Sequence, residues 1–224
     1  MLEKPWLFLI LSFGVAASIT IDQDNLLPSS EVANLKTCPF PRPQNIEPCS
    51  CKVDEKLQIL LICNIDQDMG EELLQRLIKA FACKKEVHLF DIDLNGHSWV
   101  TNFSSESLGQ FEIAHFHLSN CNSIVGDIQA GAFNGSSYTL KTFHIEPTPN
   151  EKSNGVVEKN AFSKLQTLSK VSLGNSFRTI QTKAFFDLPS FQQLTVDGRS
   201  ISRIETEAFD DLPMLKVLDL VANH

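Results

Sequence analysis

Along the C-terminal half of the chain the apolar positions recur in one fixed frame. Leu215, Leu218 and Leu220 stand at the first, fourth and sixth places of a segment whose ninth place is Asn223. The same three places hold Phe191, Leu194 and Val196, then Leu168, Val171 and Leu173, then Leu140, Phe143 and Ile145, then Ile113, Phe116 and Leu118. Between these segments an Ala-Phe pair returns, as Ala132-Phe133, Ala161-Phe162, Ala184-Phe185 and Ala208-Phe209. The step from Phe191 to Leu215 is 24 residues, and so is the step from Ala184 to Ala208. Val87 and Leu89, with His88 between them, open the earliest and least regular unit.

The alternation inside each segment predicts one short strand with two residues facing inward and the residue between them facing out. A turn follows, and then a return segment anchored by the Ala-Phe pair. No such unit can bury its apolar face alone, so neighbours must stack, placing the strands side by side in one parallel sheet. The frame is that of a leucine-rich repeat, and the step lies within the range of that class. The expected fold is an α/β-type repeat solenoid with a curved parallel sheet, made of about six repeats over residues 67–224. The column that asparagine usually fills is expected to hold Ile92, Cys121, Thr148, Ser176, Arg199 and Asn223. Such a hydrogen-bond ladder is incomplete, and irregular turns are expected at Ile92 and Arg199, whose side chains cannot satisfy the groups an amide would. Because the chain stops at His224 directly after a strand, the array reads as incomplete at its C-terminal end.

The other end carries different signals. Lys4 and the apolar run Trp6–Ala17, with Val15 and Ala17 ahead of Ser18, read as a signal peptide over residues 1–17. The run is shorter than the roughly 20 residues a membrane span needs, and no later segment is long and apolar enough for one. Residues 18–37 read as a flexible lead. Cys38, Cys49, Cys51 and Cys63 then fall close together within residues 38–66. In an oxidising compartment they read as a two-disulfide knot rather than a zinc site, because Cys49-x-Cys51 lacks the usual C-x2-C step, and three pairings are open. The knot would cap the exposed end of the stack. Cys83 and Cys121 fall at opposite ends of neighbouring strands, on the order of 20 Å apart against a disulfide limit near 7 Å, and are expected as separate thiols.

Net charge is −8 with Lys and Arg dispersed. A phosphate backbone would need a basic stripe, so nucleic acid is not an expected partner. The motifs G-x-S-x-G, H-E-x-x-H, G-x-G-x-x-G and the Walker phosphate loop do not occur, and with a repeat scaffold this predicts neither an enzyme nor a cofactor. Asn102 and Asn134 head sequons and are expected glycan acceptors. The outward column of the strands is expected to hold His88, His117, His144, Ser172, Thr195 and Asp219, with His115 two residues before His117 on the same concave face. Phe116 and Leu118 should be buried, and the column should point to solvent. Three stacked imidazoles, His88, His117 and His144, are candidates for holding Zn²⁺ or for sensing pH, although a polar face that meets a partner is the expectation taken. The stretch Glu146–Gly155, with Pro147 and Pro149, reads as a binding loop overhanging that face or a tolerated surface insertion.

Two stretches resemble a particular group of proteins. The cap from Cys38-Pro39 through Ile46, Pro48, Cys49 and Cys51 to Cys63 is one, and Ile128 to Ile145, with Ala132-Phe133, Ser136, Thr139-Leu140 and Ile145, is the other. Both follow the spacing of arthropod leucine-rich-repeat proteins of the oplophorus-luciferin 2-monooxygenase non-catalytic subunit type, and the chain is also similar in layout to repeat ectodomains of adhesion and immune receptors. The resemblance implies a secreted, extracellular accessory or receptor-like module that binds another protein. It also implies pairing of Cys38 with Cys51 and of Cys49 with Cys63, as in such N-terminal caps. The alternatives are a structural protein of the extracellular matrix or adhesion, and a metal-binding catalytic subunit.

Overall fold

The computed structural model describes residues 36–37, 43–54, 58–68, 71–81, 86–124, 126–148, 154–196 and 201–220. The expected signal peptide, Cys38, Cys83, Arg199 and Asn223 lie outside these residues. One nine-stranded sheet runs the length of the molecule. It comprises β1 (Lys36–Thr37), β2 (Cys49–Val53), β3 (Ile59–Asn64), β4 (Glu86–Asp93), β5 (Glu112–Ser119), β6 (Thr142–Ile145), β9 (Lys170–Leu173), β12 (Gln193–Val196) and β15 (Val217–Asp219), in that order. The pairs β1–β2 and β2–β3 are antiparallel, and every later pair is parallel. The fold is the expected leucine-rich-repeat solenoid, with six crossovers linking its seven parallel strands. Lys36 and Thr37, placed in the lead by sequence, instead pair with Val53 and Lys52 at the sheet edge.

The cap is a hairpin of β2 and β3 joined across by the disulfide Cys49–Cys63, the pairing the resemblance implied. Cys51 is disulfide-bonded as well. The first crossover carries the helix α1 (Glu71–Ala80). Leu73, Leu74, Leu77 and Ala80 share its buried face, as the helical period requires, while Glu71 and Glu72 open it and Lys79 closes it, in the sense the helix dipole favours. Among the described residues this is the one α-helix, so the return segments are mostly not helical as an α/β-type array would have them.

The crossovers after β4 and β5 carry single 3-10 turns, Leu108–Gln110 and Asn134–Ser136, and the last three are built from short strands. β7 (Gly155–Val157), β10 (Phe177–Ile180) and β13 (Arg203–Ile204) form one small parallel sheet, and β8 (Phe162–Ser163), β11 (Phe185–Phe186) and β14 (Phe209–Asp210) form another. The backbone explains why. The residue before each Ala-Phe pair is left-handed: Gly131 (φ 77°), Asn160 (61°), Lys183 (53°) and Glu207 (59°). Lys164, Asp187 and Asp211 are left-handed four residues further on. A helix cannot propagate through such corners, which cost an L-residue about 1–2 kcal/mol.

Two columns of the long sheet face the core. One is Leu61, Phe90, Phe116, Phe143, Val171, Leu194 and Leu218, and the other Cys63, Ile92, Leu118 and Ile145. Phe116 and Leu118 are buried as expected. The first repeat, however, is framed by Val87, Phe90 and Ile92, not by Val87 and Leu89. Phe90 packs edge-on against Phe116, with centroids 5.7 Å apart, so the larger side chain takes the interior place and shifts the frame. Ile92 is therefore a core residue within β4 rather than a ladder residue at an irregular turn. The ladder place belongs to Asn95, whose amide donates to the Ile65 carbonyl of the preceding turn at 3.0 Å.

Behind the sheet, the phenylalanines of the Ala-Phe pairs stack into a spine. Centroids are 5.0 Å apart for Phe133–Phe162, 4.9 Å for Phe162–Phe185 and 5.6 Å for Phe185–Phe209. Phe162 is wholly buried in the middle of it. We expect Phe162→Ala to cost about 3–5 kcal/mol in denaturant unfolding, and Tyr138→Ala, at a side chain 79% exposed, to stay within about 0.5 kcal/mol of the parent. At the exposed Glu207, relief of the left-handed corner opposes the extra unfolded-state freedom of glycine, so Glu207→Gly should raise stability by less than about 1 kcal/mol. A loss in the same assay would show that the Glu207 corner is not strained.

Candidate functional site

The corrected register decides which side chains meet on the concave face. Asp91 pairs with His117, His117 with His144, His144 with Ser172, Ser172 with Thr195 and Thr195 with Asp219. His88 does not belong to this column, because the place read for it is held by Asp91. It lies half-buried in β4, its ring edge-on to His115 at 5.0 Å. His115 stands in the neighbouring column with Leu89, Thr142, Lys170, Gln193 and Val217. The outward column was also expected to face solvent. His117 and Thr195 are instead buried, at 9% and 4% exposure, the first between Asp91 and the His144 ring and the second beside Gln193.

The densest part of the face is centred on His117. Its Nδ1–H donates to Asp91 Oδ1 at 2.7 Å, and its Nε2 lies 3.7 Å from Glu146 Oε1, an ion-pair distance beyond hydrogen-bond reach. The ring stacks on that of His144 with centroids 5.1 Å apart, close to the spacing of the strands beneath. Glu146 leaves the end of β6 and its Oε2 accepts from the Asn120 backbone N–H at 3.3 Å. One ligand atom from each of His117, His144 and Glu146 lies within 4.8 Å of the others, so these three, and not the expected His88, His117 and His144, are placed where a cation could bind. Asp91 and Glu146 are the residues that sequence reasoning missed. Aligning Val87-x-x-Phe90-x-Ile92 with Ile113-x-x-Phe116-x-Leu118 would have found the first.

Environment divides the histidines. Burial disfavours the charged ring of His117, but the hydrogen bond and charge of Asp91 and the nearby Glu146 carboxylate outweigh it and raise the ring to about 9. His144 is lowered to about 4 by burial and then by the neighbouring His117, and His115 to about 4 by burial, His88 and Lys141. The Glu146 carboxyl is lowered, chiefly by His117. Elsewhere the face is ordinary. Gln193 Nε2 donates to Thr195 Oγ1 at 3.3 Å, and Ser172 and Asp219 complete the column.

The remaining expected residues are dispersed. Asn102, in irregular backbone, and Asn134, at the start of the 3-10 turn Asn134–Ser136, are both exposed and lie outside the long sheet. Asn102 Oδ1 already accepts from the Asp127 N–H at 2.9 Å, while the hydroxyl of Ser136 is buried between Phe111 and Ile113. Cys121 is a free, buried thiol that donates to the Ser123 carbonyl, and its pKa is raised by burial. At Thr148 the ladder is bridged by a neighbour: Asn175 Nδ2 donates to the Thr148 carbonyl at 2.7 Å, and its Oδ1 accepts from the Thr148 N–H at 2.6 Å. Ser176, at the ladder place itself, has a buried hydroxyl without a hydrogen-bond partner among the described residues.

Residues 126–224 match the model of the BspA type leucine rich repeat region, in six copies. No curated protein and no solved structure matches the chain. The matched stretch covers the later turns of the solenoid, from the turn before β6 through β15.

The opposite shifts make stability depend on pH from both sides. A ring raised to about 9, as His117 is, contributes stability that is complete below its ordinary 6.5 and is lost as pH rises through about 9. His144 and His115, lowered to about 4, contribute stability present above 6.5 and lost as pH falls through about 4. With the chain held free of metal by a chelator, melting temperature should peak near pH 6.5 and fall on either side. Asp91→Asn should flatten the alkaline limb and His144→Gln the acid limb. A wild-type profile flat from pH 5 to 9 would contradict this electrostatic account.

Proposed function

We propose that this chain is a secreted, extracellular, non-catalytic module that binds another protein through the concave face of its long sheet. The observation that carries the reading is the continuous row of outward places from Asp91 to Asp219, held in register by parallel pairing. That row mixes acids, imidazoles and hydroxyls, and Lys170, Gln193 and Val217 lie beside it, giving a varied surface of the kind that recognises a folded partner. The leucine-rich-repeat match supports a protein-interaction role. A matrix protein would instead repeat one charge or glycan along the array, and the row does not repeat.

The accessory-subunit role rests on the arthropod resemblance, and secretion on the N-terminal run, which the cystine in the cap supports. No helix among the described residues is long and apolar enough to cross a membrane. A photo-crosslinking amino acid placed at Lys170 or Gln193 should give adducts of defined mass with a co-secreted protein. The same group at Arg178, exposed on β10 behind the sheet, should not. Equal labelling from Arg178, or none from either concave position, would overturn the assignment of the face. A mature protein whose N-terminus is not Ser18 would overturn the expected cleavage.

A further inference from the structure

Two buried ring nitrogens, Nε2 of His117 and Nε2 of His144, have no hydrogen-bond partner among the described residues. An unpaired buried polar atom is costly, and native proteins rarely keep one without a reason. Here two occur on rings stacked 5.1 Å apart, with the Oε1 of Glu146 3.7 Å from the first. We propose that His117, His144 and Glu146 form a binding site for Zn²⁺, with Asp91 as the residue that positions it.

The donor set is two imidazole nitrogens and one carboxylate oxygen, the combination that leaves a fourth tetrahedral place open on a zinc ion. Asp91 takes the Nδ1–H of His117 at 2.7 Å, which holds the ring with its Nε2 toward Glu146, and an ion binding at Nε2 displaces the proton there to solvent. Carboxylates behind a ligating histidine act in this way at many metal centres. Glu146 is anchored through Oε2 on the Asn120 N–H, and Oε1 remains to bind. The three ligand atoms lie within 4.8 Å of one another, and a tetrahedral ion wants them about 3.4 Å apart. The Glu146 side chain, 35% exposed, has room to close that gap. The proposal stands apart from the protein-binding reading, since the ion would bind the chain alone.

The test uses the full chain, stripped with a chelator and titrated with Zn²⁺ near neutral pH against a competing chromophoric chelator, with circular dichroism confirming the fold of each variant. The expected result is one zinc per chain, lost in Glu146→Gln and in His144→Ala. Asp91→Asn should weaken binding by about 10- to 100-fold, as loss of a positioning carboxylate does. His97→Ala, at a histidine 3.9 Å from Asp68 and outside the cluster, should bind zinc as the parent does. Co²⁺ in place of zinc should show the intense visible bands of a tetrahedral ion, absent in Glu146→Gln. A wild-type chain that takes up no zinc would overturn the site. So would folded Glu146→Gln and His144→Ala variants that both bind it unchanged.

Discussion

Stacking of one turn's phenylalanine on the next is the interaction the rest of this structure depends on. A single turn exposes a row of apolar side chains on a strand too short to bury them. Only when Phe133, Phe162, Phe185 and Phe209 lie ring against ring does the interior close. Burying one such side chain contributes roughly 1.5–3 kcal/mol, and each internal ring is covered by the turns on both sides of it. The left-handed corners before the Ala-Phe pairs follow from the same requirement. They turn the chain sharply enough to bring each ring onto the spine, and the contact offsets the strain at Lys183 and Glu207, where glycine would sit without it.

Once the spine sets the phase of each turn, the concave face has no freedom of its own. Inward residues lock Phe90 to Phe116 and Phe116 to Phe143, so Asp91, His117 and His144 must fall in one line. Their proximity is a consequence of core packing rather than of mutual attraction. This explains how an interior arrangement of aromatic rings ends in a buried histidine raised to about 9 beside another lowered to about 4. Both rings are partly desolvated, and the one with Asp91 and Glu146 beside it keeps its proton while the other is denied one.

Most of the solenoid was legible in the chain because its period is carried by large apolar residues, and these dominate the energy. The frame from Ile113 to Leu220 and the recurring Ala-Phe pair sufficed for strands, order and core. What escaped was local. Val87-His88-Leu89 offers an alternation as good as Phe90-Asp91-Ile92, and only the fit of Phe90 against Phe116 selects the second. A slip there changes which residue faces outward, so His88 was read into a place that Asp91 holds. The helix at Glu71–Ala80 was readable from Leu73, Leu74 and Leu77, but it lies in a crossover without the Ala-Phe mark. Glu146 looked like the start of an insertion because nothing in its own neighbourhood shows that β6 delivers it onto His117.

The ladder places show how much irregularity such an array tolerates. Asn95 binds the preceding turn as the consensus residue does, Cys121 offers a thiol, and Asn175 reaches across from one place before Ser176 to bridge Thr148. Each solution satisfies a different fraction of the backbone groups, yet the parallel pairing continues unbroken from β3 to β15. The hydrogen bonds of the ladder are therefore secondary to the spine, since a net bond contributes about 1 kcal/mol and a buried phenylalanine more. That ranking has a chemical consequence. A scaffold whose spacing is enforced by its interior can exchange residues along an outer column without moving the backbone. Substituting a few positions in adjacent strands, and one just past a strand end, is then enough to bring two imidazoles and two carboxylates together.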